Sequence, residues 1–203
     1  MIGTTVALLL LLSALFSSAN TQAQSASGSP ATQTPERSDA LASSTALAQA
    51  RRLREEGDAA GALKTIETAL GRLPRDVALR FTRAVMQADL GQTEAALAGF
   101  TALTQEYPEL PEPYNNLATL HAARGDLDRA RAALDEAVRA MPVYALAWEN
   151  LGDVHLRLAE RAWQQASQLD KASEASAKLK LARDLITRIS PPAAPAPSGA
   201  RRP

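Results

Sequence analysis

His121 and His155 are the only histidines of the chain. Two imidazoles brought together could hold a metal ion or share general acid and base work, provided that neighbouring helices bring them within reach and a carboxylate or thiolate completes the site. The chain has no cysteine, which removes thiolate ligands, a cysteine nucleophile, a disulfide framework and a lipid-carrying cysteine. The step from His121 to His155, taken backwards once and then twice from His121, lands on Gln87 and Leu53, which makes the slot a packing position and leaves no carboxylate fixed beside both imidazoles. Paired carboxylates such as Glu55-Glu56 and Asp135-Glu136 read as solvated helix exteriors. No Gly-rich phosphate loop, no His-Glu-x-x-His and no serine-triad signature occurs. The residues therefore predict no catalytic centre, no metal and no cofactor.

The remaining polar groups with recognition chemistry are amides, Asn115, Asn116 and Asn150, each able to donate and accept at once. What positions them is a periodicity. Gly57, Gly91 and Gly125 recur at the same step as the histidines, and Pro74, Pro108 and Pro142 keep that step too, each half a period after its glycine. Between them recur Ala62, Ala96 and Ala130, then Ile66, Phe100 and Leu134, then Ala69, Leu103 and Ala137. A small residue also recurs upstream of each glycine at Ala50, Ala84 and Ala118, and once more at Gly152. Small residues let two helices approach closely, so each unit reads as a helix, a glycine turn, a second helix and a proline stop.

This punctuation resembles the tetratricopeptide repeat family, most closely over Pro113-Tyr114-Asn115-Asn116-Leu117-Ala118 with Gly125-Asp126, Ala130, Ala137 and Pro142. The resemblance implies an all-α fold, a right-handed α-solenoid of three helix hairpins over residues 43–76, 77–110 and 111–144. Within them, Arg80 and Arg83 replace the Tyr114 and Leu117 type of residue in the second unit, and Ala46 and Gln49 give the first unit a polar outer face suited to a cap. A fourth unit begins with Trp148, Leu151, Gly152 and His155, yet the period calls for glycine at position 159 and the chain has Ala159. Leu151, Leu158, Ala162, Ala166 and Leu169 keep three-four spacing, with no Gly or Pro from Asp153 to Ser190. The expectation over 145–190 is a partial fourth repeat, one long helix from about Ala145 to Asp170 that caps the stack, followed by a last helix from about Ala172 to Ile189.

The ends differ in composition. An apolar run from Val6 to Phe16, followed by Ser17-Ser18-Ala19 or Thr21-Gln22-Ala23, reads as a signal peptide over 1–23, cleaved after Ala19 or Ala23. It is shorter than the roughly 20 apolar residues a spanning helix needs, so no stable membrane insertion is expected after cleavage. Residues 24–42, rich in Ser, Ala, Thr and Gln, and the Pro/Ala-rich tail 191–203 are expected to be disordered, because neither buries enough apolar surface to offset ordering. Lys plus Arg balances Asp plus Glu at 22 each, which argues against nucleic acid as the main partner. Arginine outnumbers lysine 18 to 4, a bias associated with GC-rich bacterial genomes, and with the signal it points to the periplasm.

In the family the resemblance names, the first helices of successive repeats line a concave groove for an extended peptide or a partner's helix. Projected here, that groove is formed by Leu47, Arg51 and Arg54, then Phe81, Val85 and Ala88, then Glu112, Asn115, Asn116 and Thr119, then Glu149, Asn150 and Asp153. The asparagines suit a peptide backbone, and Phe81 with Val85 suits one apolar anchor. The family's clamp for C-terminal carboxylates is not reproduced, since its slots hold Leu47, Arg51, Thr82, Glu112 and Asn116, with a single cation and an opposing carboxylate. The expected function is a non-catalytic periplasmic scaffold that binds a protein or peptide, in assembly or maintenance of the cell envelope. The alternative is a self-associating structural protein, a homodimer formed through the C-terminal helices.

Overall fold

The computed structural model describes residues 35–171 and 173–189. The signal peptide expected over 1–23, residues 24–34 of the expected linker and the tail 191–203 lie outside them. Every regular element among the described residues is an α-helix, and the elements divide into two compact units at Gly91.

The unit ending at Gly91 holds α1 (Pro35–Glu55), α2 (Ala59–Leu70) and α3 (Val77–Asp89). Helix α1 starts inside the stretch 24–42 that composition assigned to a linker. Its first residue is a proline, whose fixed φ suits a first helical position, and Glu36 places a carboxylate in the positive first turn. The α1–α2 turn closes as a Schellman motif. Asp58 N–H donates to Leu53 O (2.8 Å) and Gly57 N–H to Arg54 O (3.0 Å), with Gly57 at φ +85°. Asp58 then caps α2 by accepting from Gly61 N–H at 2.8 Å, and Asp76 caps α3 by accepting from Leu79 N–H at 2.9 Å. Ala50, Ala62, Ile66, Leu70, Leu79 and Ala84 are buried, so the small and apolar slots of the period form the core of this unit.

The unit from Gln92 holds α4 (Thr93–Glu106), α5 (Pro111–Ala123), α6 (Leu127–Ala140), α7 (Ala145–Leu169) and α8 (Ala175–Ile189). Consecutive helices pack on one another from α4 to α8, and α5 also touches α7. The α5–α6 turn repeats the Schellman geometry. Asp126 N–H donates to His121 O and Gly125 N–H to Ala122 O, each at 3.0 Å, with Gly125 at φ +80°. Its core joins Ala118, Ala130, Leu134, Ala137, Ala147, Leu151 and Val154, with Tyr114 and Leu158 packed against it. The Tyr114 hydroxyl donates to Thr104 O at 3.3 Å, tying α5 to the end of α4.

Helix α7 runs unbroken through Ala159 for 25 residues. Helix α8 returns along it after a short connection, burying Ala175, Leu179 and Ala182, and Arg183 Nε donates to Glu160 Oε1 at 2.9 Å. One slot departs from the period. Ala84 and Ala118 are buried, whereas Gly152, one period after Ala118, is exposed. Its neighbour Trp148 is 52% exposed, its indole N–H donating to Pro142 O at 2.9 Å.

Candidate interaction surface

Helices α5 and α7 supply the more elaborate of the two faces projected from the sequence. Glu112, Asn115, Asn116 and Thr119 recur at three-four spacing along α5, and Glu149, Asn150 and Asp153 lie on α7. The two helices are joined by an amide pair in which Asn150 Nδ2 donates to Asn115 Oδ1 at 2.8 Å. Asn115 is 4% and Asn116 is 9% exposed, so both amides lie deeper than a freely solvated helix face would place them. Asn116 Nδ2 donates to Glu112 O at 2.8 Å and Thr119 Oγ1 to Asn115 O at 3.1 Å, both back along their own helix. Each pairing uses one end of an amide and leaves the other, Asn115 Nδ2 and Asn116 Oδ1, without a partner among the described residues.

Around the amides the face is acidic. Glu149 and Asp153 are exposed and Glu112 half-buried, and none of the three forms a salt bridge among the described residues. Partial burial, and then the neighbouring Glu149 carboxylate, push the Asp153 carboxyl above its usual range, against the opposing pull of Arg157. Burial raises the Tyr144 phenol to about 12, and the negative charge of Glu112 adds to the effect. A concentration of negative charge short of counter-ions favours a cationic group from outside.

The face on α1 and α3 has a different character. Arg51 is exposed and Leu47 and Phe81 are half-buried, but Val85 is 4% exposed and belongs to the core. Arg54 is not a free cation, since its guanidinium meets the Asp89 carboxylate at 2.8 Å and ties α1 to α3. Burial raises the Asp89 carboxyl above its usual range despite the lowering effect of Arg54, so the pairing only partly offsets desolvation. A shallow hollow of about 670 Å³ lies between α1 and α2, beside Thr45, Gln49, Lys64 and Thr68, away from this face.

The two histidines end in different surroundings. His121 is half-buried, with Nδ1 enclosed and without a hydrogen-bond partner, and His155 is exposed. Burial, followed by the nearby Arg129, lowers the His121 pKa and keeps its ring neutral at pH 7, with Asp126 opposing. Among the described residues no three His, Cys, Asp or Glu side chains come together in a metal-binding group. No described helix is long and apolar enough to cross a membrane.

Two contacts, the Asn115–Asn150 amide pair and the Arg54–Asp89 bridge, and the exposure of the Gly152 slot were not foreseen from the sequence. The amide pair had a signal, because Asn115 and Asn150 differ by about one period and so fall on neighbouring first helices. Arg54 and Asp89, separated by the same step, carried that signal with opposite charges.

Among curated proteins none matches the chain. Solved structures do. TTC0263, a thermophilic tetratricopeptide repeat protein of Thermus thermophilus, is 25% identical with a TM-score of 0.54, covering 71% of this chain and 83% of its own. A tetratricopeptide repeat protein from Parabacteroides merdae is 17% identical, with a TM-score of 0.53 over 73% of this chain and 63% of that one. MamA from Desulfovibrio magneticus RS-1, from its residue 41 to the end, is 18% identical, with a TM-score of 0.52 over 77% of this chain and 94% of that one. The last two are likenesses of fold. The tetratricopeptide repeat profile matches residues 47–111 and 115–166, more than half of the chain, and with left-handed glycine turns at Gly57, Gly91 and Gly125 and buried alanines at Ala50, Ala84 and Ala118, the protein belongs to the tetratricopeptide repeat family and its fold is an all-α solenoid of helix hairpins.

Proposed function

We propose that this protein is a non-catalytic scaffold of the bacterial periplasm that binds an extended peptide or a partner's helix on the first-helix faces of its repeats, in assembly or maintenance of the cell envelope. The observation that carries this reading is the α5/α7 face. A hydrogen-bonded amide pair fixes it, and among the described residues two further amide ends are left over and the three carboxylates around them lack salt-bridge partners. Such a surface offers a peptide backbone a donor and an acceptor, and offers a basic side chain its counter-charge. On α1 and α3, in the other unit, Leu47, Arg51 and Phe81 form a separate face of basic and apolar character. The signal-like segment Val6 to Phe16 supports export.

The test is capture of partners by crosslinking of a tagged copy in its own cells, comparing wild type with Glu149→Lys/Asp153→Lys. Both side chains are exposed, so the double variant keeps its helicity and melting temperature. Loss of the captured protein in the variant is the expected result, and equal capture by both forms rejects the reading. Fractionation of the same cells tests the location, which a cytoplasmic product would overturn.

Self-association is the second reading, and one observation favours it: Leu181, Leu185 and Ile189 form an exposed stripe on α8, and Leu169 is 79% exposed. Leu158, by contrast, packs against the core, so a charge there would unfold the unit. Light scattering of Leu181→Glu/Leu185→Glu against wild type separates the two readings, because a strictly monomeric wild type removes the dimer.

A further inference from the structure

The even charge balance of the whole chain hides a segregation within the unit from Gln92. Between Gln92 and Leu156 there are ten carboxylates to four Lys and Arg, whereas from Arg157 to Ile189 there are seven Lys and Arg to four carboxylates. The positive part is α8 with the second half of α7. Helix α8 is covered on one side only, where Ala175, Leu179 and Ala182 are buried in its packing on α7. Its apolar sector runs on past that cover. Leu181 is 69% exposed, Leu185 and Ile189 are exposed as well, and at i, i+4 and i+8 the three form a ridge about 12 Å long.

Cations accompany the ridge. Lys178 stands one turn before Leu181 and Arg188 one turn after Leu185, both exposed, and Lys180 is exposed on the polar side of the helix. Lys178 shares its charge with Glu174 at 3.5 Å, and Arg183 is held by Glu160 at 2.9 Å. Lys180 and Arg188 form no salt bridge among the described residues, and Asp184 is the one carboxylate within α8.

We propose that α8 docks the protein on an anionic lipid bilayer, the Leu181–Leu185–Ile189 ridge entering the headgroup boundary while Lys178, Lys180 and Arg188 meet lipid phosphates. A helix that joins an exposed apolar ridge to a cationic polar side, without the length or hydropathy to span, lies in the plane of the interface. The long stems of Lys and Arg let the ridge sink while their charges stay at the surface. No amide or hydroxyl interrupts the ridge, so it offers depth and charge rather than directional recognition. The acidic first part of the unit is repelled by the same surface, which biases approach toward α8. Pairing of α8 with α8 of a second copy would cover the ridge too, but it sets two cation-rich helices against each other. The docking goes beyond the partner-binding reading and does not rest on it.

The test uses the chain from Gln24, which keeps every described residue and lacks the apolar run Val6 to Phe16 that would itself enter lipid. Because the chain has no cysteine, Ala177→Cys beside the ridge carries a single environment-sensitive dye, and Gln105→Cys on α4 carries the control. Vesicles of phosphatidylcholine and phosphatidylglycerol in equal parts are expected to sediment the protein and shift the label at 177 to the blue, with the label at 105 unmoved. Phosphatidylcholine alone should bind at least about tenfold more weakly, and high salt should release the protein. Leu181→Glu/Leu185→Glu and Lys180→Glu/Arg188→Glu, all at exposed positions, should each abolish the shift, far-UV circular dichroism confirming equal helicity. No shift on anionic vesicles overturns the proposal, as does a shift that both double variants retain. A label at 177 already shifted before lipid is added, in a species that light scattering shows to be dimeric, overturns it too and assigns the ridge to a second copy. Failure to capture a protein on the α5/α7 face leaves the docking standing, because no protein partner enters this measurement.

Discussion

Gly57 and Gly125 hold their turns at φ of +85° and +80°, a region where a Cβ meets its own backbone, although the space around each is open. Gly125→Ala should therefore destabilise by about 1 to 2 kcal/mol through strain alone, seen as a lower denaturant midpoint with an unchanged slope. Asp58→Ala, which removes the acceptor for Gly61 N–H, should lower stability by about 1 kcal/mol in the same measurement. The Arg54–Asp89 bridge calls for a different experiment. Asp89 has a raised folded pKa, so the fold favours its protonated form, and the ionised carboxylate weakens the fold increasingly as pH rises through that pKa. Arg54→Leu removes the lowering influence and leaves a poorly solvated carboxylate unpaired. It should destabilise by about 1 to 3 kcal/mol at pH 7, and by less once the pH falls below the raised pKa of Asp89. Denaturant melts at pH 7 and pH 4 check the sign; an effect that grows on acidification contradicts it.

At the scale of the element, α7 shows what one absent glycine does. An alanine at position 159 is the best helix former where a left-handed residue would be needed, so the helix continues and the reversal is postponed to the residues after Leu169. Ala159→Gly should cost about 1 kcal/mol and leave α7 whole, because a single glycine supplies neither the Schellman bonds nor the packing of a second helix. Ala159→Pro should break it, with a loss of helical ellipticity in the far UV; unchanged ellipticity would show that this part of α7 does not depend on its i to i−4 bonds. The long helix was legible from the missing glycine and the three-four apolar spacing. The start of α1 was not, since a stretch of Ser, Ala and Thr has no apolar face and its helix takes its first turn from Pro35 and Glu36. The depth of Asn115 and Asn116 was equally hidden. Periodicity assigns a residue to a face, and how closely α5 and α7 approach decides how much of that face water reaches.

For the molecule as a whole, the sequence period and the compact units do not share boundaries. The second repeat spans 77–110, while the units divide at Gly91, so α4 belongs with α5 and α3 with α2. A repeat read from sequence is a unit of inheritance, whereas cohesion comes from neighbours across repeat boundaries. Residues 92–203 produced alone should accordingly melt in one cooperative transition, and a structureless far-UV spectrum would refute this. Near-identical hairpins carry a hazard of their own, because a helix can be mistaken for its homologue one period away and lodge beside the wrong neighbour during folding. Asn115 and Asn150 distinguish the true neighbours. One period upstream the same pair of positions holds Phe81 and Asn116, and two periods upstream Leu47 and Thr82, so no other adjacent first helices place amides at both positions. A mispaired α7 would bury an amide against Phe81 or Leu47, and the unmet polar group would send it back to search again.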